Sequence, residues 1–419
     1  MADDEQDLDA AAGRAAVSLV QRSHLLPPGD VARTLAEAAA PLGVTGAAVH
    51  MADLQQRYLW VVPGGITQDE QPLDIESSLA GLAFRTLDAQ VVPAGGGTSR
   101  VWLPLLDGTE RLGVIELLCT DVGQRMLPRL TMLASLAGLL VAGKSTYSDT
   151  YARAKRSHEM AVQGELVWAM LAPRTFATTR VLVAASIEPA YEVGGDAFDY
   201  SLAGDLLHVS LFDASGHDLA AGLVASVAMA SARSTRRAGG SLAEAVTNAD
   251  QAVGSHFAQD RFATALLCDL DLSSGQFRWI PCGHPPPLLI RGSDIRELYA
   301  RPHLPLGLSE IDRIVRAQRG LPAPSGPPPV YSEQLRPGDR LLLYTDGVTE
   351  GRSKDGLSFG LRRLSEFIVG LGAAGTPAPE ALRLLSNHVL EHQAGRLSDD
   401  ATVVVVEWLP GEPVVTLAP

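Results

Sequence analysis

Two hydrophobic rhythms alternate along this chain. Short apolar runs at 46–51, 58–62, 100–105 and 112–119 are followed by others at 181–185, 206–212, 262–269, 277–281, 288–290, 340–344 and 402–408. Runs of that length, bounded by turn-forming residues, read as β-strands. Apolar residues at helical spacing fill 31–39 behind an Asp30 N-cap, then 77–86, 126–142, 220–233, 242–257, 361–369 and 379–393. The first group forms a small α+β unit over residues 14–143. The second group, residues 174–410, suits two packed antiparallel sheets flanked by helices. Between them, 144–173 is polar and charged and ends at Pro173, with Val162, Leu166, Val167, Met170 and Leu171 making one apolar stripe. That stripe reads either as a helix packed on its own domain or as a linker helix pairing between protomers. It is too short to establish an autonomous coiled coil. Residues 1–13 read as a disordered acidic terminus, 320–329 as an exposed loop and 411–419 as a frayed tail.

Composition narrows the class. The 419 residues allow two or three domains, and 46% hydrophobic with 20% charged content fits folded protein rather than disorder. A net charge of -14 argues against a nucleic-acid partner, which needs a basic footprint. Three cysteines, Cys119, Cys268 and Cys282, lie in apolar stretches, as expected for a reducing cytoplasm without a disulfide framework. No paired Cys/His spacing points to zinc. The acidic N-terminus lacks a signal-peptide core, and the apolar runs at 132–142 and 219–229 are too short or too broken for a membrane span. The expected location is cytoplasmic.

Four acidic turns carry the candidate chemistry: Gly194-Gly195-Asp196, Asp213-Ala214-Ser215-Gly216-His217, Thr345-Asp346-Gly347 and Asp399-Asp400-Ala401-Thr402. Each alone is as readily a plain loop. The last three adjoin strand-like runs, however, and a strand end can hold a carboxylate rigidly at a sheet rim. Convergence of such ends would create the oxygen-lined site that Mg2+ and Mn2+ favour. A pair of such ions about 3.5–4 Å apart is a general device for hydrolysing phosphate esters.

In residues and in order, these motifs resemble the sporulation-E/RsbU-like branch of the metal-dependent PPM serine/threonine phosphatases, over residues 165–408. The same resemblance includes Glu192-Val193-Gly194-Gly195-Asp196-Ala197-Phe198-Asp199, Cys282-Gly283-His284-Pro285-Pro286, Leu304-Pro305-Leu306-Gly307 and a run from Pro337 to Glu350. It implies an α+β chain whose C-terminal part is a β-sandwich of two antiparallel sheets. It also implies two metal ions, Mn2+ or Mg2+, served by Asp196, Asp213 as the bridging ligand, the Ala214 carbonyl, Asp346 and Asp399. Asp400 would orient a ligand water or cap its turn. Asp196, Asp213 and His217 form the expected catalytic set, with His217 either protonating the leaving oxygen or only bonding its turn. Glu192 would hold a metal-bound water or be a loop charge, and Glu350 would bond amides at a helix start. His284 reads as structural, and Gly194, Gly195 and Gly347 as supplying unusual backbone angles. Two departures stand out: Ala197 replaces a usual aromatic, and Asp218, in place of a usual glycine, puts a negative charge close to the proposed site.

The order of elements in 14–143, with Leu79-Ala80-Gly81-Leu82-Ala83 and Gly113-Val114-Ile115-Glu116-Leu117, resembles a GAF domain. Such domains bind small molecules or dimerise; a cyclic nucleotide, a haem or no ligand all stay open. The combined expectation is a phosphoserine/phosphothreonine protein phosphatase regulated by this domain, homodimeric, acting on a phosphorylated anti-sigma factor antagonist. The alternative is a catalytically weak docking module coupled to a ligand sensor. A cyclic-nucleotide hydrolase fits poorly, because His-Asp metal-ligand pairs on helices are absent from the pattern.

Overall fold

Strands and helices sort into two units, Met1–Glu159 and Met160–Pro413. The computed structural model describes residues 2–66, 71–120, 122–257, 261–322, 326–395 and 397–411. Residues 412–419 of the expected tail, and 323–325 of the expected loop, lie outside that range.

The first unit is a six-stranded antiparallel sheet. Its strands are β1 (Val44–Ala52), β2 (Tyr58–Val61), β3 (Leu73–Asp74), β4 (Gln90–Gly95), β5 (Thr98–Asp107) and β6 (Glu110–Cys119), in the order β3-β2-β1-β6-β5-β4. Strand alternation gives it two apolar faces. Val49, Met51, Leu103, Ile115 and Leu117 pack with helices α1 (Ala2–Ser23), α2 (Val31–Ala39) and, after α3 (Leu79–Thr86), α4 (Leu127–Ser145). Ala52, Leu59, Trp102 and Val114 pack instead against Ala80, Ala83 and Phe84 of α3. Ser78 caps α3 by accepting from the Gly81 amide at 2.9 Å. Gly138 lets α4 approach β5 closely, since a Cβ there would lie 2.1 Å from the Leu106 carbonyl oxygen.

Three expectations change here. Residues 1–13 were expected to be disordered, but all except Met1 belong to α1; Ala11, Ala12, Ala15 and Leu19 fall on one face and are buried. Glu5, Asp7 and Asp9 of the same helix are exposed, while its alanines serve the core. Asp30 makes no capping bond and pairs with Arg33 at 2.5 Å. The apolar run at 132–142 extends into the full 19 residues of α4, the one helix among the described residues long and apolar enough to cross a membrane. Leu130, Leu133, Ala137 and Val141 of that helix are buried in the core of the unit.

The stretch 144–173 is not one helix. It contains α5 (Asp149–Ala154) in the first unit and α6 (Val162–Met170) in the second. Val167 of α6 enters the core of the second unit, and Trp168 Nε1 donates to the Ala190 carbonyl at 2.7 Å.

The second unit stacks helices, sheet, sheet and helices. Its elements are β7 (Thr175–Ala177), β8 (Val181–Glu188), β9 (Asp196–Ala203), β10 (Leu206–Ala214), α7 (Leu219–Arg237), α8 (Leu242–His256), β11 (Ala263–Asp271), β12 (Gln276–Cys282), β13 (Leu288–Arg291) and β14 (Asp294–Glu297). They continue with α9 (Ser309–Gln318), β15 (Tyr331–Gln334), β16 (Arg340–Tyr344), α10 (Asp346–Glu350), α11 (Gly360–Ala373), α12 (Ala378–His392) and β17 (Ala401–Trp408). One antiparallel sheet runs β15-β12-β11-β10-β9, the other β14-β13-β16-β17-β8-β7. Val209, Leu211, Phe277 and Trp279 of the first share a core with Val183, Leu341, Leu343, Val404 and Val406 of the second. Ala225, Met229 and Val246 of α7 and α8 belong to the same core. Leu364, Ile368, Leu382, Leu385 and Val389 of α11 and α12 cover Leu342, Val403 and Val405 on the far face.

Candidate functional site

The acidic turns meet at one end of this sandwich. Asp196 opens β9 and pairs across the sheet with Asp213 near the end of β10; Asp213 in turn pairs with Thr264 of β11. Asp346 follows β16 after the single residue Thr345, and Asp399 and Asp400 directly precede β17. Since β16 and β17 are neighbours, the last two turns lie side by side. Like charges directly opposite on two strands destabilise a sheet, so this end of the fold needs other support.

Backbone amides and hydroxyls provide part of it. Asp400 Oδ2 accepts from the amides of Gly194 at 2.9 Å, Gly195 at 2.6 Å and Asp196 at 3.3 Å. This carboxylate therefore bolts the first turn to the start of β17. Asp196, 1% exposed, has its Oδ2 held by the hydroxyls of Thr345 at 2.8 Å and Thr402 at 2.6 Å. The Thr402 amide donates to Thr345 Oγ1 at 2.9 Å, and the single Thr345 proton goes to Asp196 Oδ2 at 2.8 Å rather than to the Asp400 carbonyl at 3.5 Å. Thr264 Oγ1 donates to Asp213 Oδ2 at 3.4 Å.

Glycine acts here through its missing side chain. A Cβ on Gly194 would stand 2.5 Å from the His217 carbonyl oxygen, one on Gly195 2.5 Å from that of Ala214, and one on Gly347 2.0 Å from that of Asp400. None of these three glycines has positive φ. Close approach of the turns, rather than the unusual angles expected from sequence, requires them.

Electrostatics mark the same place. Burial, then repulsion from Asp346, Asp399 and Asp400, pushes the Asp213 carboxyl up to about 7. Burial raises Asp196 well above the usual range, Asp213 and Asp400 add to the effect, and the two threonine hydroxyls oppose it. Asp346 is raised by burial, Asp399 and Glu350. Asp400 is raised chiefly by burial, against the pull of its three amides. Carboxylates that hold protons against their own chemistry are groups a cation would relieve.

The expected residues do not all stand alike. Asp213, Asp346 and Asp399 share one acidic field without a cationic side chain among its causes. Asp196 and Asp400 each have an oxygen committed to protein donors. Among the described residues, no three His, Cys, Asp or Glu side chains are already gathered tightly enough to hold one ion. The donors are nonetheless all oxygen, which suits a hard divalent cation. His217 and Glu192 are exposed. Glu350 closes α10 rather than starting a helix. Asp218 does not aim at the acids: it caps α7 by accepting from the Ala221 amide at 3.0 Å and binds Arg261 through both oxygens at 3.1 and 2.7 Å. Ala197 is fully buried in the core. Sequence reasoning missed Thr264, Thr345 and Thr402; the latter two stand inside the acidic motifs, where a hydroxyl near a carboxylate was the available signal.

Residues 203–409 match the sequence profile of the family "Stage II sporulation protein E (SpoIIE)". Protein IcfG of Synechocystis sp. is 27% identical over 146 residues, covering 35% of this chain and 20% of that protein. Phosphoserine phosphatase RsbU of Bacillus subtilis is 23% identical over 222 residues, covering 52% of this chain and 60% of that protein. The chain thus spans less than two thirds of either relative. The solved structure of the RsbU and RsbW domains of Rv1364c from Mycobacterium tuberculosis aligns with 55% of this chain and 62% of its own, at 25% identity and a TM-score of 0.46. The match to the stage II sporulation protein E family thus takes in just under half of the chain, residues 203–409, and three of its four acidic turns.

Proposed function

We propose that this protein is a Mn2+- or Mg2+-dependent phosphoserine/phosphothreonine protein phosphatase. One observation carries the reading: five aspartates from four distant turns are brought to one sandwich end, where burial and mutual repulsion raise Asp196, Asp213, Asp346 and Asp400. A fold does not set a function, but a site of this chemistry narrows it. The family match and the name of the RsbU relative support the same class.

In this reading Asp213, Asp346 and Asp399 would hold two divalent cations, together with the second oxygen of Asp196 and the Ala214 carbonyl. Such a pair supplies Lewis acidity toward the phosphoryl group and acidifies a water nucleophile. The chain's own residues do the positioning. Asp400 fixes the Gly194-Gly195-Asp196 turn, and Thr345 and Thr402 fix Asp196 against β16 and β17. His217, exposed beside the turn that follows β10, would reach a leaving serine or threonine oxygen from solvent and protonate it. The substrate would be a phosphorylated protein of the anti-sigma factor antagonist class, and the first unit a GAF-like regulatory domain in a cytoplasmic homodimer. The docking-module alternative rested on Ala197 and Asp218, and Asp218 is occupied by Arg261 and the Ala221 amide.

The test is hydrolysis of p-nitrophenyl phosphate and of a phosphoserine peptide with and without Mn2+. Asp213→Asn should lower metal-dependent turnover at least about a hundredfold. Parent activity that is indifferent to Mn2+, or to this substitution, would remove the reading.

A further inference from the structure

His284 lies outside the acidic turns, yet the fold takes pains to place it. The preceding residue, Gly283, has φ +71°, and a Cβ on it would stand 2.7 Å from Pro305 Cγ. Isolated bridges pair Gly283 with Ala265 of β11 and Cys282 with His303. The imidazole that follows is only 5% exposed. Its Nδ1 lies 2.8 Å from Thr264 Oγ1, the hydroxyl that reaches Asp213 Oδ2. Its Nε2 is buried and, among the described residues, has no hydrogen-bond partner. Burial pushes the ring down to about 3, with the Tyr344 backbone opposing, so it is neutral near pH 7.

Proton counting orients the chain of bonds. A threonine hydroxyl has one proton. If Thr264 donates to Asp213, the nitrogen facing it must be Nδ1–H, donating to Thr264 Oγ1. The buried Nε2 is then a bare acceptor, a cheaper orphan than a buried N–H. The opposite tautomer would turn an N–H toward the Tyr344 backbone without a hydrogen bond of normal geometry, and would draw the Thr264 proton away from Asp213. The ring thus sets the direction in which the hydroxyl points.

We propose that His284 is a positioning residue for the acidic site, holding Asp213 through Thr264 so that this carboxylate is set for a cation. The inference rests on the cation reading given above. Groups that orient a metal-binding side chain typically change metal affinity by about 10- to 100-fold. Asn at 284 retains an amide N–H at the Nδ1 distance, whereas Gln carries its amide one bond further out.

The experiment is calorimetric titration of the full chain with Mn2+, alongside thermal melting without metal. His284→Gln and Thr264→Val should each weaken Mn2+ binding by about tenfold. The double variant should lose no more than either single, because both act on one bond. His284→Asn and Thr264→Ser should stay near the parent. If His284→Gln does not fold, Thr264→Val against Thr264→Ser and His284→Asn still decides the matter. Losses that multiply in the double variant, a His284→Asn as weak as His284→Gln, or singles indistinguishable from the parent would overturn the proposal. A parent that binds no Mn2+ would instead sink the cation reading itself, and this inference with it.

Discussion

Strand β9 begins at Asp196 and carries Asp199 three residues later, and the two aspartates are stabilised by opposite means. Asp199, 3% exposed, accepts from Arg233 at 2.7 Å and Arg236 at 2.8 Å. Further along the same sheet Asp269 faces His208 at 2.6 Å, and Asp339 elsewhere in the unit binds Arg291 at 2.8 and 2.6 Å. At the other end, among the described residues, the Asp196 side chain has only hydroxyls for donors, and the charges acting on it are other carboxylates. A buried carboxylate matched by guanidinium is part of the scaffold. Several buried together without one leave a deficit of positive charge, and that deficit is what distinguishes a binding site from a brace.

The largest effect should come from breaking the matched end. Asp199→Ala strands two largely buried arginines and should cost about 3 kcal/mol in urea unfolding. Arg233 also donates to the Met170 carbonyl at 2.6 Å, so the loss should loosen the end of α6 as well. A change below about 0.5 kcal/mol would mean the arginines reach water easily and the contrast is overdrawn.

At the unmatched end the sign should reverse. The Asp213 carboxyl titrates near 7 in the folded chain against 3.8 for the ordinary group. Between those values the folded state holds a proton that the unfolded chain has released. Metal-free stability should therefore fall as pH rises from about 4 to about 7, then level off. The raised Asp196, Asp346 and Asp400 contribute with the same sign. Asp213→Asn should raise metal-free stability at pH 8 by roughly 2 kcal/mol and flatten this slope, while abolishing Mn2+-dependent turnover. A metal-free parent as stable at pH 8 as at pH 5 would show that the acids are not in conflict.

The four acidic turns were legible in the sequence as local pattern, three of them beside strand-like runs, and the structure brings them to one end of the sandwich. What holds them was not. Thr402 meets Asp196 across 206 residues of chain, and Asp400 meets Gly194 across the same separation. No periodicity or spacing records such partners. The two sheets were readable from apolar runs, whereas β7, β14 and β15, each four residues or fewer, gave too little pattern. Helix α1 was hidden by its acidic residues, although the alanine stripe at 11, 12 and 15 was present. The sequence pattern singled out neither Arg233 nor Arg236; the packing of α7 on β9 shows that they neutralise Asp199.

Asp218 tests the division most finely, because it belongs to the acidic end by position and to the matched class by contact. From sequence its extra charge threatened the site. In the structure the Ala221 amide and then Arg261 hold its carboxyl below the usual range, while Arg261 also donates to the Ser215 carbonyl at 3.1 Å. Its charge is answered on the spot, and none of the causes raising Asp196, Asp213 or Asp346 is Asp218. Asn caps a helix about as well as Asp, so Asp218→Asn removes the charge and leaves the cap. Turnover and Mn2+ affinity should stay within about twofold of the parent, since an exposed ion pair contributes little. A tenfold weakening of Mn2+ binding would carry the opposite lesson. It would place Arg261 in the same field as the acids, a cation that Asp218 had been keeping occupied and that now competes with whatever binds there.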